Sequence, residues 1–186
     1  MSFLIMVQLL FPASSIFEIV SDGTERGGNS DLQLTDIQSG LNFKGQVGAI
    51  QGSAGPVGFA LARFPTTFSA DTAGGTFTVD AAGPIVMSVV IGVSDSLNPT
   101  PAAGTMTYSA SFSLSPGKND IQFLWTQMQA RIRGRLVPNA PKFQPEWAET
   151  FAIQVARSQQ VVQRIEPEKI DPETFDPIQF EFTVLK

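Results

Sequence analysis

Residues 105–114 read Thr-Met-Thr-Tyr-Ser-Ala-Ser-Phe-Ser-Leu, and their alternation constrains the fold more than any other feature. Met106, Tyr108, Ala110, Phe112 and Leu114 fall on one side, and Thr105, Thr107, Ser109, Ser111 and Ser113 on the other. A helix would mix the two sets around its circumference. An extended strand with one wet face separates them.

The same period recurs along the chain. Leu41, Phe43 and Val47 alternate with Asn42, Lys44 and Gln46, and Phe77 and Val79 with Thr76, Thr78 and Asp80. Phe151, Ile153 and Val155 line one face of a further strand, and Phe180, Phe182 and Val184 one face of the last. Residues 85–93 are apolar on both faces and suit a central strand, with a shorter similar run at 58–64. Between them lie turn clusters such as Gln-Gly-Ser-Ala-Gly-Pro, Asp-Thr-Ala-Gly-Gly and Ser-Pro-Gly-Lys-Asn-Asp. Short strands at this spacing predict an all-β sandwich or barrel. Helix is expected only for a turn or two, near Gln127–Arg131 and Glu146–Glu149. The chain is long enough for one domain with its own core, expected over 16–186. An apolar segment at 1–15 precedes it, and a Gln-, Glu-, Asp- and Pro-rich extension is expected at about 159–177.

Composition removes several chemistries. There is no cysteine and no histidine, so disulfides, thiolate sites and the commonest general base and metal ligand are absent. No metal and no cofactor is expected. A net charge of -5 argues against nucleic acid as the main partner. The run Phe3, Leu4, Ile5 through Leu9, Leu10 and Phe11 is too short to span a bilayer, which takes about 20 residues. No Lys or Arg precedes it, as a secretory signal would want. It reads as a strand or a docking segment.

Four polar features could carry function. Ser-Asp-Gly-Thr-Glu-Arg-Gly-Gly-Asn-Ser, at 21–30, has the glycine content of a phosphate loop but lacks its Lys-Ser/Thr and the helix beyond. A turn at Asp22-Gly23, with Gly27 and Gly28 allowing close backbone approach and Ser30 after them, is the simpler reading. Arg131, Arg133 and Arg135, at spacing two, would project to one face of an extended segment. They could bind a phosphate or carboxylate partner, or pair with internal acids such as Asp22 or Glu25. Trp125 and Trp147 could offer a sugar platform, although Trp125 beside Phe123 and Leu124 also suits a core. Glu146 with Glu149 and Asp171 with Glu173 are the nearby carboxylate pairs, and surface charge is the default for them.

Taken in order, these motifs resemble the complex I intermediate-associated protein 30 family. The residues that carry the resemblance are the Asp22, Gly23, Gly27, Gly28 and Ser30 loop, the Phe43-Lys44-Gly45 strand and Gly58-Phe59-Ala60. The later Arg133-Gly134 segment before a Pro-containing turn and the closing Phe180–Val184 strand complete it. It covers about residues 16–186. Phe17 stands where the family has tryptophan, and Glu25-Arg26 where it has Val-Met.

The resemblance implies a jelly-roll β-sandwich of the galactose-binding-like kind. It also implies a non-enzymatic role: an assembly factor or accessory subunit whose partners are protein subunits of a respiratory or photosynthetic membrane complex. The protein would then be soluble or peripheral to an energy-transducing membrane, with Phe3–Phe11 as interface. Under this reading Asp22 pairs with Arg133 or Arg135, pinning the loop to a late strand. A carbohydrate-binding module is the alternative, suggested by the fold analogy, with a sugar ligand secondary to protein partners. A carboxylate-pair enzyme is the third reading.

Overall fold

A computed structural model describes residues 5–22, 28–48, 58–98, 104–157 and 177–186. Phe3, Leu4, Gly23, Glu25, Gly27, Asp171, Glu173 and residues 159–176 of the expected extension lie outside these. Two sheets pack face to face. The first has the order β1 (Ile5–Gln8), β6 (Thr72–Ala81), β13 (Ile178–Leu185), β4 (Gly40–Val47), β3 (Asp31–Ile37), with β9 (Gly117–Leu124) also paired to β6. The second runs β11 (Arg135–Leu136), β10 (Gln129–Ile132), β8 (Met106–Leu114), β7 (Ile85–Val93), β12 (Ala148–Ala156), β5 (Phe59–Pro65), β2 (Glu18–Ser21).

The alternation seen in sequence sorts the two faces as expected. Met106, Tyr108 and Leu114 are buried inward on β8, while Ser111 and Ser113 are exposed. β7, apolar on both faces, is central between β8 and β12. Twelve of the 15 phenylalanines lie in the core or pack against it. Phe43 and Phe182 sit directly opposite on β4 and β13 and stack at 4.9 Å. Phe11, Phe64, Phe77 and Phe151 form edge-on and tilted contacts between the sheets.

Some local expectations fail for physical reasons. The expected helix at Gln127–Arg131 is a 3-10 turn at Trp125–Gln127 followed by strand β10, and the second is Pro145–Trp147. Of Asp-Thr-Ala-Gly-Gly only Asp71 is in a turn, closed by the Thr72 amide donating to the Ser69 carbonyl, because Thr72–Gly75 belong to β6. There a side chain at Gly74 would lie 2.0 Å from the Phe123 carbonyl oxygen of β9. The arginine row breaks because Arg133 and Gly134 form a two-residue hairpin between β10 and β11, with φ of 50° and 77°. Positive φ at both positions is the type I′ pattern, which favours Asn-Gly. Arg133→Asn is therefore expected to stabilise the fold by about 0.5–1 kcal/mol, read in urea unfolding.

The N-terminal segment is tied in by polar contacts as well as by β1. The Ser14 hydroxyl and amide both donate to Asp36 Oδ2, at 2.6 and 3.0 Å. They hold the Asp36 carboxyl below its ordinary range. A carboxyl lowered in the fold contributes above its unfolded pKa and loses that contribution as pH falls through the folded value. This tether is expected to release only as pH falls below the ordinary aspartate range, with the Ser14 amide resonance following the titration and the Asp36→Asn variant showing no such step.

Candidate functional site

β6 has three partners. β9 lies along one edge, and β1 and β13 share the other end to end. β1 reaches Thr76, where the Leu9 amide donates to the Thr76 carbonyl at 2.9 Å. β13 arrives from the opposite direction and pairs down to Val79. Neither strand fills the step at Phe77–Thr78, and a groove of about 520 Å³ opens there. That size falls within the roughly 300–1,000 Å³ of small-molecule sites.

The groove combines hydrogen-bonding groups with apolar surface. Gln8, Thr76, Lys118 and Gln122 contribute polar side chains, and the Thr78 hydroxyl donates to Asp120 Oδ1 at 2.8 Å. Leu9, Phe77, Ile121 and Leu185 give the apolar lining. A sugar needs this mixture: hydroxyls to hydrogen-bond and C–H faces to cover. A smaller cavity of about 220 Å³ lies beyond Leu10, between Phe11–Ala13 and Gly40–Leu41 with Val184.

The residues singled out in sequence go to several places. Asp22 is fully buried. Its Oδ1 accepts from the Phe59 amide at 3.1 Å, its carbonyl accepts from the Gly28 amide, and its Oδ2 has no hydrogen-bond partner among the described residues. Ser30 is buried and accepts from the Gly48 amide at 2.9 Å. The expected Asp22 pairing with Arg133 or Arg135 does not form. β2 and β10 are five strands apart in one sheet, roughly 24 Å. Between described residues the ion pairs are Lys44–Glu181 and Arg63–Glu18.

Arg131 instead donates to the Gly134 carbonyl and to Gln129 Oε1. Of the segment read as an interface, Leu9 and Phe11 pack against the core, while Ile5 and Leu10 are 47% and 77% exposed. Tyr108 and Trp125 are buried, so neither is a sugar platform. Tyr108 donates to the Pro141 carbonyl, and Trp125 Nε1 to Thr72 Oγ1. Trp147 is half-buried against the core. Among the described residues no three potential metal ligands come together, and no helix is long and apolar enough to cross a membrane.

The groove residues were visible only as the wet side of alternating strands. Nothing local announces that β1 and β13 stop short of each other.

No protein-family model and no curated protein matches the sequence. Solved structures do match in fold. A family 11 carbohydrate-binding module from Clostridium thermocellum, in complex with a beta-1,3-1,4-mixed-linked tetrasaccharide, aligns with a TM-score of 0.59 at 10% identity. The match covers 92% of this chain and 86% of that one. The family 11 module of the cellulosomal cellulase Lic26A-Cel5E of the same organism gives 0.55 at 9% identity, over 91% and 84%.

The fold is an all-β jelly-roll sandwich of the galactose-binding-like kind. The expected role as an assembly factor or accessory subunit of a respiratory or photosynthetic complex is corrected by these neighbours, and so are its expected protein-subunit partners. Both of these structures, similar over nearly the whole chain, are carbohydrate-binding modules, one of them holding an oligosaccharide. The sequence motifs reported a sandwich and its corner, and such a corner serves any task the sandwich carries.

Proposed function

We propose that this chain is a non-catalytic carbohydrate-binding module whose ligand is an oligosaccharide or polysaccharide. The observation that carries the proposal is the likeness, over 92% of the chain, to a module seen with a bound tetrasaccharide. The groove between β1, β6, β9 and β13 adds local support, because it joins amide, hydroxyl and charged side chains to an apolar lining at ligand size. A non-catalytic role agrees with a chain that has no histidine or cysteine. The motif order shared with the complex I intermediate-associated protein 30 family we retain as a proposal about descent, not about task.

Affinity electrophoresis and calorimetry against a panel of soluble glycans, mixed-linkage β-1,3-1,4-glucan included, test this. Wild type should be retarded by at least one glycan. Asp120→Ala and Gln122→Ala should each weaken that binding by about tenfold, the cost of one good hydrogen bond in a bound complex. Glu149→Ala, exposed on β12, should not change it. Absence of binding to every glycan on the panel would remove the proposal. Binding untouched by the Asp120 and Gln122 variants would move the site out of the groove.

A further inference from the structure

Three of the chain's 12 basic residues fall within five positions, at Arg131, Arg133 and Arg135. The hairpin that carries them is built against its local preference. A type I′ turn asks for Asn or Gly at its first central position, and Arg133 stands there in the left-handed region. The turn thus holds a long cation at its tip where a small residue would fit with less strain.

Arg131 is oriented in advance. Its Nη1 donates to the Gly134 carbonyl at 2.9 Å and its Nη2 to Gln129 Oε1 at 3.0 Å. Two of the five guanidinium N–H donors are thereby used, on neutral acceptors, and the plane is set. Between described residues no carboxylate pairs with Arg131, Arg133 or Arg135, and the latter two are exposed. In a chain of net charge -5 this is a local excess of positive charge.

Arg131 also borders a polar surface. It is in register with Thr107 of β8, and Gln129 with Ser109, all on the outer face of the seven-stranded sheet. A carboxylate on a polymer lying along this face would meet a fixed guanidinium. The hydroxyls beside that carboxylate would meet Thr107, Ser109 and Gln129. A planar fork matches a carboxylate in two-point contact. The hydroxyls of Thr107 and Ser109 and the Gln129 amide fit a hydroxyl-rich chain better than the apolar side chains of a protein.

We propose that the β10–β11 hairpin is an anion-binding edge that recognises acidic polysaccharides through their carboxylates. That the ligand is a glycan rests on the sugar-binding reading above; that the hairpin holds an anion does not.

The test uses the full chain with polygalacturonate, neutral mixed-linkage β-glucan, inorganic phosphate and a DNA duplex as separate probes. Wild type is expected to bind polygalacturonate, more weakly as salt rises. Arg133→Gln/Arg135→Gln changes only exposed side chains without hydrogen-bond partners among the described residues and should lower that affinity about tenfold or more. Adding Arg131→Gln should abolish it, and any neutral-glucan binding should persist in both variants. Thermal unfolding of the double variant, expected to match wild type, keeps folding out of the comparison.

Binding of neutral glucan without binding of polygalacturonate would overturn this inference and leave the proposed function standing. Absence of binding to polygalacturonate and to neutral glucan alike would overturn this inference, while the proposed function falls only if the whole glycan panel fails, and phosphate or DNA bound in their place would overturn the glycan half. Polygalacturonate binding indifferent to the arginines would also overturn it. So would neutral-glucan binding lost along with them, since the arginines would then serve the general sugar site.

Discussion

Phe151→Ala is expected to remove about 3–5 kcal/mol from the unfolding free energy, the range for deleting a large buried aromatic whose site cannot collapse. Phe151 has no exposed surface and sits on β12, between β5 and β7 in the second sheet. Its ring lies 5.6 Å from Phe64, 5.7 Å from Phe11 and 6.5 Å from Phe68, so three different parts of the chain would face the resulting cavity. Against a typical total of roughly 5–15 kcal/mol the loss is large, and the melting temperature should fall by about 10 °C. Phe151→Leu retains most of the volume and should lose less than half as much. Phe11 comes from the N-terminal segment, so a double-mutant cycle of Phe11→Ala with Phe151→Ala reports how firmly that segment is part of the core. A coupling of about 0.5–1.5 kcal/mol is expected. Additivity of the two substitutions would mean that the segment docks without sharing the core's energy.

The elements read best from sequence are those whose pattern is local. The alternation of residues 105–114 gave β8 with the correct face inward, and the two-sided apolar run at 85–93 gave the central strand β7. What sequence missed depends on partners distant along the chain. Gly74 looked like a turn residue because its role is to let the backbone of β9 pass, and β9 begins more than forty residues later. The three arginines looked like one face because their spacing is two, and only the positive φ at Arg133 and Gly134 breaks the period. Asp22 was recognised as a corner residue, yet its partner is the backbone amide of Phe59, which leaves no trace in residue type. The groove is the extreme case. Thr76 and Thr78 were legible as a wet face, but the gap beside them exists because two strands from opposite ends of the chain meet β6 and stop.

Gly58→Ala tests that corner, with an expected loss of about 3 kcal/mol or more. A Cβ at Gly58 would lie 1.7 Å from the Gly48 carbonyl oxygen and 3.3 Å from Ser30 Oγ. The first of these is backbone, so relief requires moving one of two chain segments and not merely rotating a side chain. Both segments are tied. The Gly48 amide donates to Ser30 Oγ, the Gly58 carbonyl accepts from the Arg157 amide, and the next amide, of Phe59, donates to Asp22 Oδ1. A shift large enough to admit the methyl group would lengthen at least one of these bonds and strip the buried Asp22 carboxylate of its amide. An acceptor left unsatisfied away from water adds about 1–3 kcal/mol to the steric cost. Gly83→Ala is the matched control, because no atom lies within 4 Å of the position its Cβ would take, and it should change stability by less than about 1 kcal/mol. Urea unfolding of the two variants reads the difference directly. A Gly58→Ala protein as stable as the Gly83→Ala protein would mean that the corner yields, and that Asp22 does not hold β2 against β5.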